Sequence, residues 1–275
     1  MLDILKAIIF GIVEGITEWL PISSTGHLII MEELLKLDQG DAFFEMFQVV
    51  IQLGAILAVV VIYFHKLNPF SPKKTQKQKM MTWQIWIKVI IGCLPAAVVG
   101  LLFDDWIDKT LYHWYVVALM LIVYGILFIV VENYQKDKTP QVTKFSQLTI
   151  PMILIIGVFQ MLAMIPGTSR SGATIVGALM IGVSRSVAAE YTFFLAIPVM
   201  FGASLLKLIK FGFDFTAMQV AVLLVGMVVS FAVSIVAIKF LMSYIRKNDF
   251  KVFGYYRIVL GVIVFLFFGI QALLA

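Results

Sequence analysis

Two short stretches of the chain gather most of the reactive side chains that lie among apolar neighbours. The first runs from Glu14 to His27 and holds Glu14, Glu18, Ser23, Ser24, Thr25 and His27. Glu14 and Glu18 are spaced i, i+4, so a helix stacks both carboxylates on one face, where like charges repel. A divalent cation would relieve that repulsion, since two carboxylates with water and phosphate oxygens commonly hold Mg²⁺ or Ca²⁺. A shared proton, or a pairing of one of them with Arg170, would relieve it too. Ser24 stands three residues before His27, a spacing at which an imidazole can take the proton of a nucleophilic hydroxyl. Ser23 and Thr25 suit the capping of the next helix equally well.

The second stretch is Gly167-Thr-Ser-Arg-Ser-Gly172, with Thr174 just beyond. One guanidinium, Arg170, stands there among the hydroxyls of Thr168, Ser169 and Ser171. Glycine lets backbone N–H groups approach an oxyanion, a helix starting at this point turns its positive end toward it, and arginine adds two parallel charged donors. The pattern reads as a phosphate cradle, although its spacing is not that of a P-loop. The plainer alternative is an Arg170 that only neutralises Glu14 or Glu18.

The elements that carry these groups belong to a membrane. Of 275 residues 61% are hydrophobic and only 13% charged, with a mean hydropathy of +1.01. That is more apolar side chain than a soluble core buries, which excludes a soluble enzyme or a nucleic-acid binder. The net charge of +5 comes from lysines in short polar gaps and reads as topology, with no nucleic-acid partner. Apolar segments fall at 4–22, 43–64, 84–103, 114–132, 148–166, 187–206, 216–243 and 252–274. Asp3, Lys6, Glu14 and Glu18 break the pattern of a signal peptide, so no cleavage is expected. Cys93, the single cysteine, reads as a small core residue.

Segments 4–22 and 148–166 both run into Pro-Ser/Thr-Gly clusters, where a helix stops. Pro21 and Pro166 stand 145 residues apart, and the same offset puts Ser23 on Thr168, Ser24 on Ser169 and Glu45 on Glu190. One membrane domain, 1–275, is therefore expected to contain two repeats, 1–140 and 141–275. Matching broken segments in two halves point to a site near the bilayer midplane. If both broken segments cross, Arg246, Lys247 and Lys251 lie on the opposite side from the lysine-rich gaps at 65–79 and 136–144. If both turn back, all these cations share the cytoplasmic side and the halves are inverted, which obeys the positive-inside rule better. The expected fold is thus an all-α polytopic membrane protein of six transmembrane helices plus two re-entrant helical hairpins, an inverted-topology internal repeat with both termini outside the cytoplasm.

Fewer roles suggest themselves for the remaining polar residues. Glu45, Gln48 and Gln52 share a face and suit inter-helix bonding or support of the site. Arg257 and Lys239 are expected to snorkel or pair, and Gly11-x-x-x-Gly15 fits close helix packing.

Glu14-Gly-Ile-Thr-Glu18-Trp-Leu-Pro-Ile-Ser-Ser-Thr-Gly-His27 and Pro166-Gly-Thr-Ser-Arg-Ser-Gly-Ala-Thr174 resemble the two signature stretches of the bacterial undecaprenyl-diphosphate phosphatases of the bacitracin-resistance type. Phe47-Gln-Val-Val-Ile-Gln-Leu-Gly54, Leu94-Pro-Ala-Ala97, Phe194-Leu-Ala-Ile-Pro198 and Tyr256-Arg-Ile-Val-Leu-Gly261 extend the resemblance over nearly the whole chain. It implies hydrolysis of undecaprenyl diphosphate to undecaprenyl phosphate and inorganic phosphate, recycling the lipid carrier of cell-wall synthesis and conferring bacitracin resistance. It further implies a divalent-cation requirement, a multi-pass place in the bacterial plasma membrane among its lipids, a homodimer, and an active site open to the extracytoplasmic side. Glu14 and Glu18 match the family's acidic motif, Ser24 and His27 its Ser-His motif, and Ser169, Arg170 and Ser171 its second motif.

On this reading Glu14 and Glu18 hold the metal, while Arg170 with Ser23, Thr25, Gly167, Thr168, Ser169, Ser171 and Thr174 binds the diphosphate. Ser24 attacks with His27 as base, or a water activated on the metal attacks directly. The alternative from another class is an ion-coupled secondary transporter or a lipid flippase using the same pocket.

Overall fold

The computed structural model describes residues 1–212 and 214–274, without the side chains of Asp104, Asp105 and Asp108. It is all-helical among the described residues, apart from one isolated bridge between Val142 and Val183. The helices are α1 (Leu2–Thr17), α2 (Ser24–Leu34), α3 (Asp41–Ile62), α4 (Phe64–Leu67), α5 (Gln76–Leu111), α6 (Trp114–Gln135), α7 (Ile150–Leu162), α8 (Arg170–Met180), α9 (Arg185–Phe211), α10 (Ala217–Tyr244) and α11 (Lys251–Leu274). Six of them, α3, α5, α6, α9, α10 and α11, are long and apolar enough to cross a membrane. The sequence segments anticipate all six. Helix α5 begins earlier than expected, because Gln76, Lys77, Gln78 and Lys79 are good helix formers, the first three exposed, ahead of the apolar run.

The two broken segments behave differently from the rest. Helices α1, α2, α7 and α8 have 16, 11, 13 and 11 residues. At 1.5 Å per residue each falls short of the roughly 30 Å hydrocarbon layer. Each pair is interrupted by a turn that ends on a serine with positive φ, Ser23 at 73° and Ser169 at 68°. Both serines are N-caps, their hydroxyls accepting from the N–H of Gly26 and of Gly172.

The offset of 145 sets Ser24 against Ser169, but the residues that share positive φ and cap a helix are Ser23 and Ser169. Between its proline and its cap the second turn holds one residue more than the first, and there Gly167 adopts a φ of 87° that a side chain rarely takes.

Packing places the turns side by side. Helix α1 lies along α10 and α7 along α5; α3 packs on both α10 and α9. Gly11 and Gly15 make the first of these contacts, since a Cβ on either would stand 2.7 Å from the Gly226 carbonyl oxygen or 2.8 Å from that of Ser230, as the spacing anticipated. Helices α3 and α9 run antiparallel. Glu190 near the start of α9 pairs with Lys66 just past the end of α3 at 2.7 Å, and Lys207 near the end of α9 lies 4.0 Å from Glu45 near the start of α3. Glu45 thus ties helix ends together and lies off the site. Near the end of α6, buried Glu132 accepts from Arg185 and from the Phe250 N–H, holding the entries to α9 and α11.

Candidate active site

Both serine-capped turns converge on Glu18. This carboxylate follows α1, where it is nearly covered, and each of its oxygens is engaged. Oε1 accepts from Arg170 Nη2 at 2.9 Å and Oε2 from the Ser24 hydroxyl at 3.0 Å. The Glu18 backbone carbonyl accepts from the Ser171 hydroxyl at 3.2 Å. One residue therefore joins the nucleophile candidate of the first turn to the guanidinium of the second, which lies 152 positions away in the chain. The second guanidinium nitrogen of Arg170 donates to the Thr192 carbonyl at 3.0 Å, which fixes the plane of the fork.

Glu14, one helical turn before Glu18, has no such partners. It is fully buried, and neither carboxylate oxygen meets a hydrogen-bond donor. A carboxylate out of water without a partner is costly unless a cation or a proton neutralises it. Thr168 Oγ1, Trp19 Nε1 and Arg257 Nε are likewise buried and unpartnered, so unsatisfied polar atoms gather around the two turns. Buried polar atoms without a partner call for an explanation, a water, an ion or a bound ligand among them. Trp19 forms its apolar wall, edge-on to Phe193 at 5.3 Å and 5.9 Å from the Arg170 guanidinium carbon.

His27 is arranged otherwise than its spacing suggests. Its Nδ1 lies 2.7 Å from the Ser23 carbonyl, which can only accept, so that nitrogen carries the proton. Nε2 then accepts from the Tyr256 hydroxyl at 2.7 Å, and the two rings stack at 5.6 Å. Neither ring nitrogen is directed to Ser24, because the cap at Ser23 turns the Ser24 hydroxyl back toward α1. The expected Ser24–His27 contact is replaced by Ser24–Glu18.

The hydroxyls of the second turn are spent on structure. Ser169 caps α8 and meets Ser171 at 3.1 Å; Thr174 bonds the Arg170 carbonyl at 2.8 Å and Thr192 Oγ1 at 2.8 Å. Thr168 alone among them keeps an unpartnered hydroxyl. Gly167 brings its backbone against α6, where a Cβ would lie 2.5 Å from the Val117 carbonyl oxygen. Thr25 is half-buried at the second position of α2. The first N–H groups of α2 and α8 have no intrahelical acceptor and present two positive helix ends beside Glu18 and Arg170.

Tyr256 and Arg257, part of a stretch that carries the resemblance but outside the residues assigned to the site, are its neighbours. The available signal was an arginine inside an apolar segment, which calls for a role at that depth. Arg257 neither snorkels nor pairs with a carboxylate among the described residues. It is fully buried and donates to backbone carbonyls.

Fold and site together define a multi-pass helical membrane protein whose acid pair, serine and arginine meet in its interior. A family model described as bacitracin resistance protein BacA matches residues 7–263. The chain is 60% identical over 275 residues to the undecaprenyl-diphosphatase of Desulfitobacterium hafniense, covering 100% of this chain and 99% of that relative. It is 61% identical over 268 residues to the undecaprenyl-diphosphatase of Acetivibrio thermocellus, with 98% of each covered. With that of Enterococcus faecalis it shares 60% over 261 residues, 94% of this chain and 95% of the relative. The chain belongs to the bacitracin resistance protein BacA family.

Proposed function

We propose that this chain hydrolyses undecaprenyl diphosphate to undecaprenyl phosphate and inorganic phosphate, recycling the lipid carrier of cell-wall synthesis and thereby conferring bacitracin resistance. The observation that carries this reading is the convergence of Ser24 and Arg170 on Glu18 beside the unpartnered Glu14, in a chain about 60% identical throughout to proteins named undecaprenyl-diphosphatase.

Phosphoryl transfer asks a protein mainly for positioning and for stabilisation of charge on the phosphoryl oxygens. Arg170, the Thr168 hydroxyl and the first-turn N–H groups of α8 and α2 hold the diphosphate. Ser24 Oγ attacks the terminal phosphorus and its proton passes to Glu18, to which it already donates. The bridging P–O bond breaks and undecaprenyl phosphate leaves. Water then attacks the phosphoserine, the P–Oγ bond breaks, inorganic phosphate departs and Glu18 returns the proton to Ser24. His27 with Tyr256 holds the Ser23 turn in shape.

The donor set fits Mg²⁺ or Ca²⁺: Glu14, with two free oxygens in a dry place, would be the main ligand, and Glu18, one turn on, would share the ion through a carboxylate already bonded to Arg170 and Ser24. Among the described residues no third His, Cys, Asp or Glu joins them, so a bound ion would need phosphate oxygens and water for its remaining ligands. When bound, such an ion neutralises charge developing on the phosphate.

The same reading includes topology. The short pairs α1–α2 and α7–α8 are re-entrant hairpins, and repeats 1–140 and 141–275 are inverted. The antiparallel run of α3 and α9, helices joined by reciprocal Glu–Lys pairs, supports this, as does the positive-inside rule, which is better obeyed when both pairs turn back and Arg246, Lys247 and Lys251 fall on the same side as Lys66, Lys73, Lys74, Lys77, Lys79, Lys136, Lys138 and Lys144. The active site then opens to the extracytoplasmic side of a bacterial plasma membrane, in a chain that works among lipids as a homodimer.

The test is phosphate release from undecaprenyl diphosphate by detergent-purified protein, with Mg²⁺, with Ca²⁺ and with chelator. Metal-dependent release, and a phosphoserine trapped at Ser24 that Ser24→Ala lacks, is the expected result. Full turnover by Ser24→Ala would refute the covalent route, and binding without release by the folded wild type would turn the pocket toward transport.

A further inference from the structure

We infer that Arg257 is a positioning residue of this site, a buried guanidinium that ties the two serine-capped turns to one another and thereby sets where Ser24 and Arg170 stand. The inference rests on the proposed reading of those turns as the hydrolytic centre. Arg257 lies in α11, on neither turn, and is fully buried. Its Nη1 donates to the Pro21 carbonyl of the first turn at 3.3 Å. Its Nη2 donates to the Gly167 and Thr168 carbonyls of the second at 2.9 and 2.8 Å, with the Met120 carbonyl of α6 at 3.5 Å. Gly172 leaves the room this requires, since a Cβ there would stand 2.9 Å from Nη1.

A cation at membrane depth is retained only where it pairs or works. Here no carboxylate among the described residues answers it. Three carbonyl dipoles from two separate halves of the chain point instead at one group. Without it those carbonyls are buried, unpartnered and mutually repulsive, and the turns lose their common reference. The planar fork matters as well as the charge: lysine carries a compact ammonium whose donors cannot span both turns.

The experiment compares wild type, Arg257→Lys, Arg257→Met and, as a marker of the turns themselves, Arg170→Ala, each purified in detergent. Folding is followed by thermal unfolding, and kcat and KM by phosphate release from undecaprenyl diphosphate with Mg²⁺. Both Arg257 variants are expected to stay folded and to lose kcat by about 100-fold or more, the scale of a small misplacement of reacting groups, with KM changed by less than about fivefold because the prenyl chain still binds. Lysine is expected to restore only a small part of kcat. Wild-type kcat in Arg257→Met, or full rescue by lysine, would overturn the inference. Activity loss that only tracks loss of folded protein in both variants would overturn it too, by placing Arg257 in the fold alone. Full activity in Arg170→Ala would instead remove the reading of the turns, and is distinguishable from all of these.

Discussion

Replacing Glu14 by glutamine is expected to leave the metal-free protein at least as stable and the enzyme inactive. Glu14 is fully buried and both of its oxygens lack donors. A charged side chain at membrane depth costs roughly 2.5–3.5 kcal/mol on insertion scales, whereas a neutral amide left unsatisfied costs about 1–3 kcal/mol. The difference runs from about zero to about 2.5 kcal/mol in favour of the amide, so in chelator the variant's Tm is expected at or above that of the wild type, by up to about 10 °C at about 2–4 °C per kcal/mol. Saturating Mg²⁺ reverses the order. At one hundred times its Kd a ligand stabilises the wild type by about 2.7 kcal/mol, and Glu14→Gln has lost one of the two carboxylates that hold it. Thermal unfolding in detergent with chelator, Mg²⁺ or Ca²⁺, beside phosphate release, reads both effects. A variant whose Tm climbs with Mg²⁺ as far as the wild type's does, or that turns over normally, would refute the assignment of Glu14 to the cation.

Two further substitutions test how helices and turns are positioned, and a third serves as their control. Gly54→Ala places a Cβ 2.1 Å from the Met227 carbonyl oxygen at the α3–α10 crossing, and is expected to cost about 1–3 kcal/mol of stability as the helices separate, read as a lowered Tm. Gly167→Ala adds about 1–2 kcal/mol of left-handed strain to a 2.5 Å approach to Val117, and is expected to cut turnover. Gly182→Ala carries similar strain, with φ 80°, but its nearest neighbour is at an ordinary 3.4 Å. It should leave kcat near wild type, and equal loss in both would show that strain alone, not the cradle, was measured.

Much of this protein is legible from local pattern. Long apolar runs announced the six helices long enough to cross a membrane, because a bilayer imposes length and hydropathy on each segment separately. Pro-Gly-Ser clusters announced the breaks, and i, i+4 spacing put Glu14 and Glu18 on one face, because helix geometry acts over four residues. Where each turn resumes was less legible. Both caps use serine, and only backbone dihedrals distinguish Ser23 and Ser169 from the hydroxyls beside them.

What the tertiary structure decided is which group answers which. Ser24 turns to Glu18 and His27 to Tyr256; Arg170 reaches across 152 residues to the same Glu18, leaving Glu14 alone. Arg257, expected to find water or a carboxylate, is held by carbonyls of both halves. Spacing along a chain constrains neighbours within a helical turn, whereas these partnerships depend on two distant turns meeting at a point. That meeting is set by close helix crossings at small residues and by the hydrogen bonds a buried backbone must satisfy.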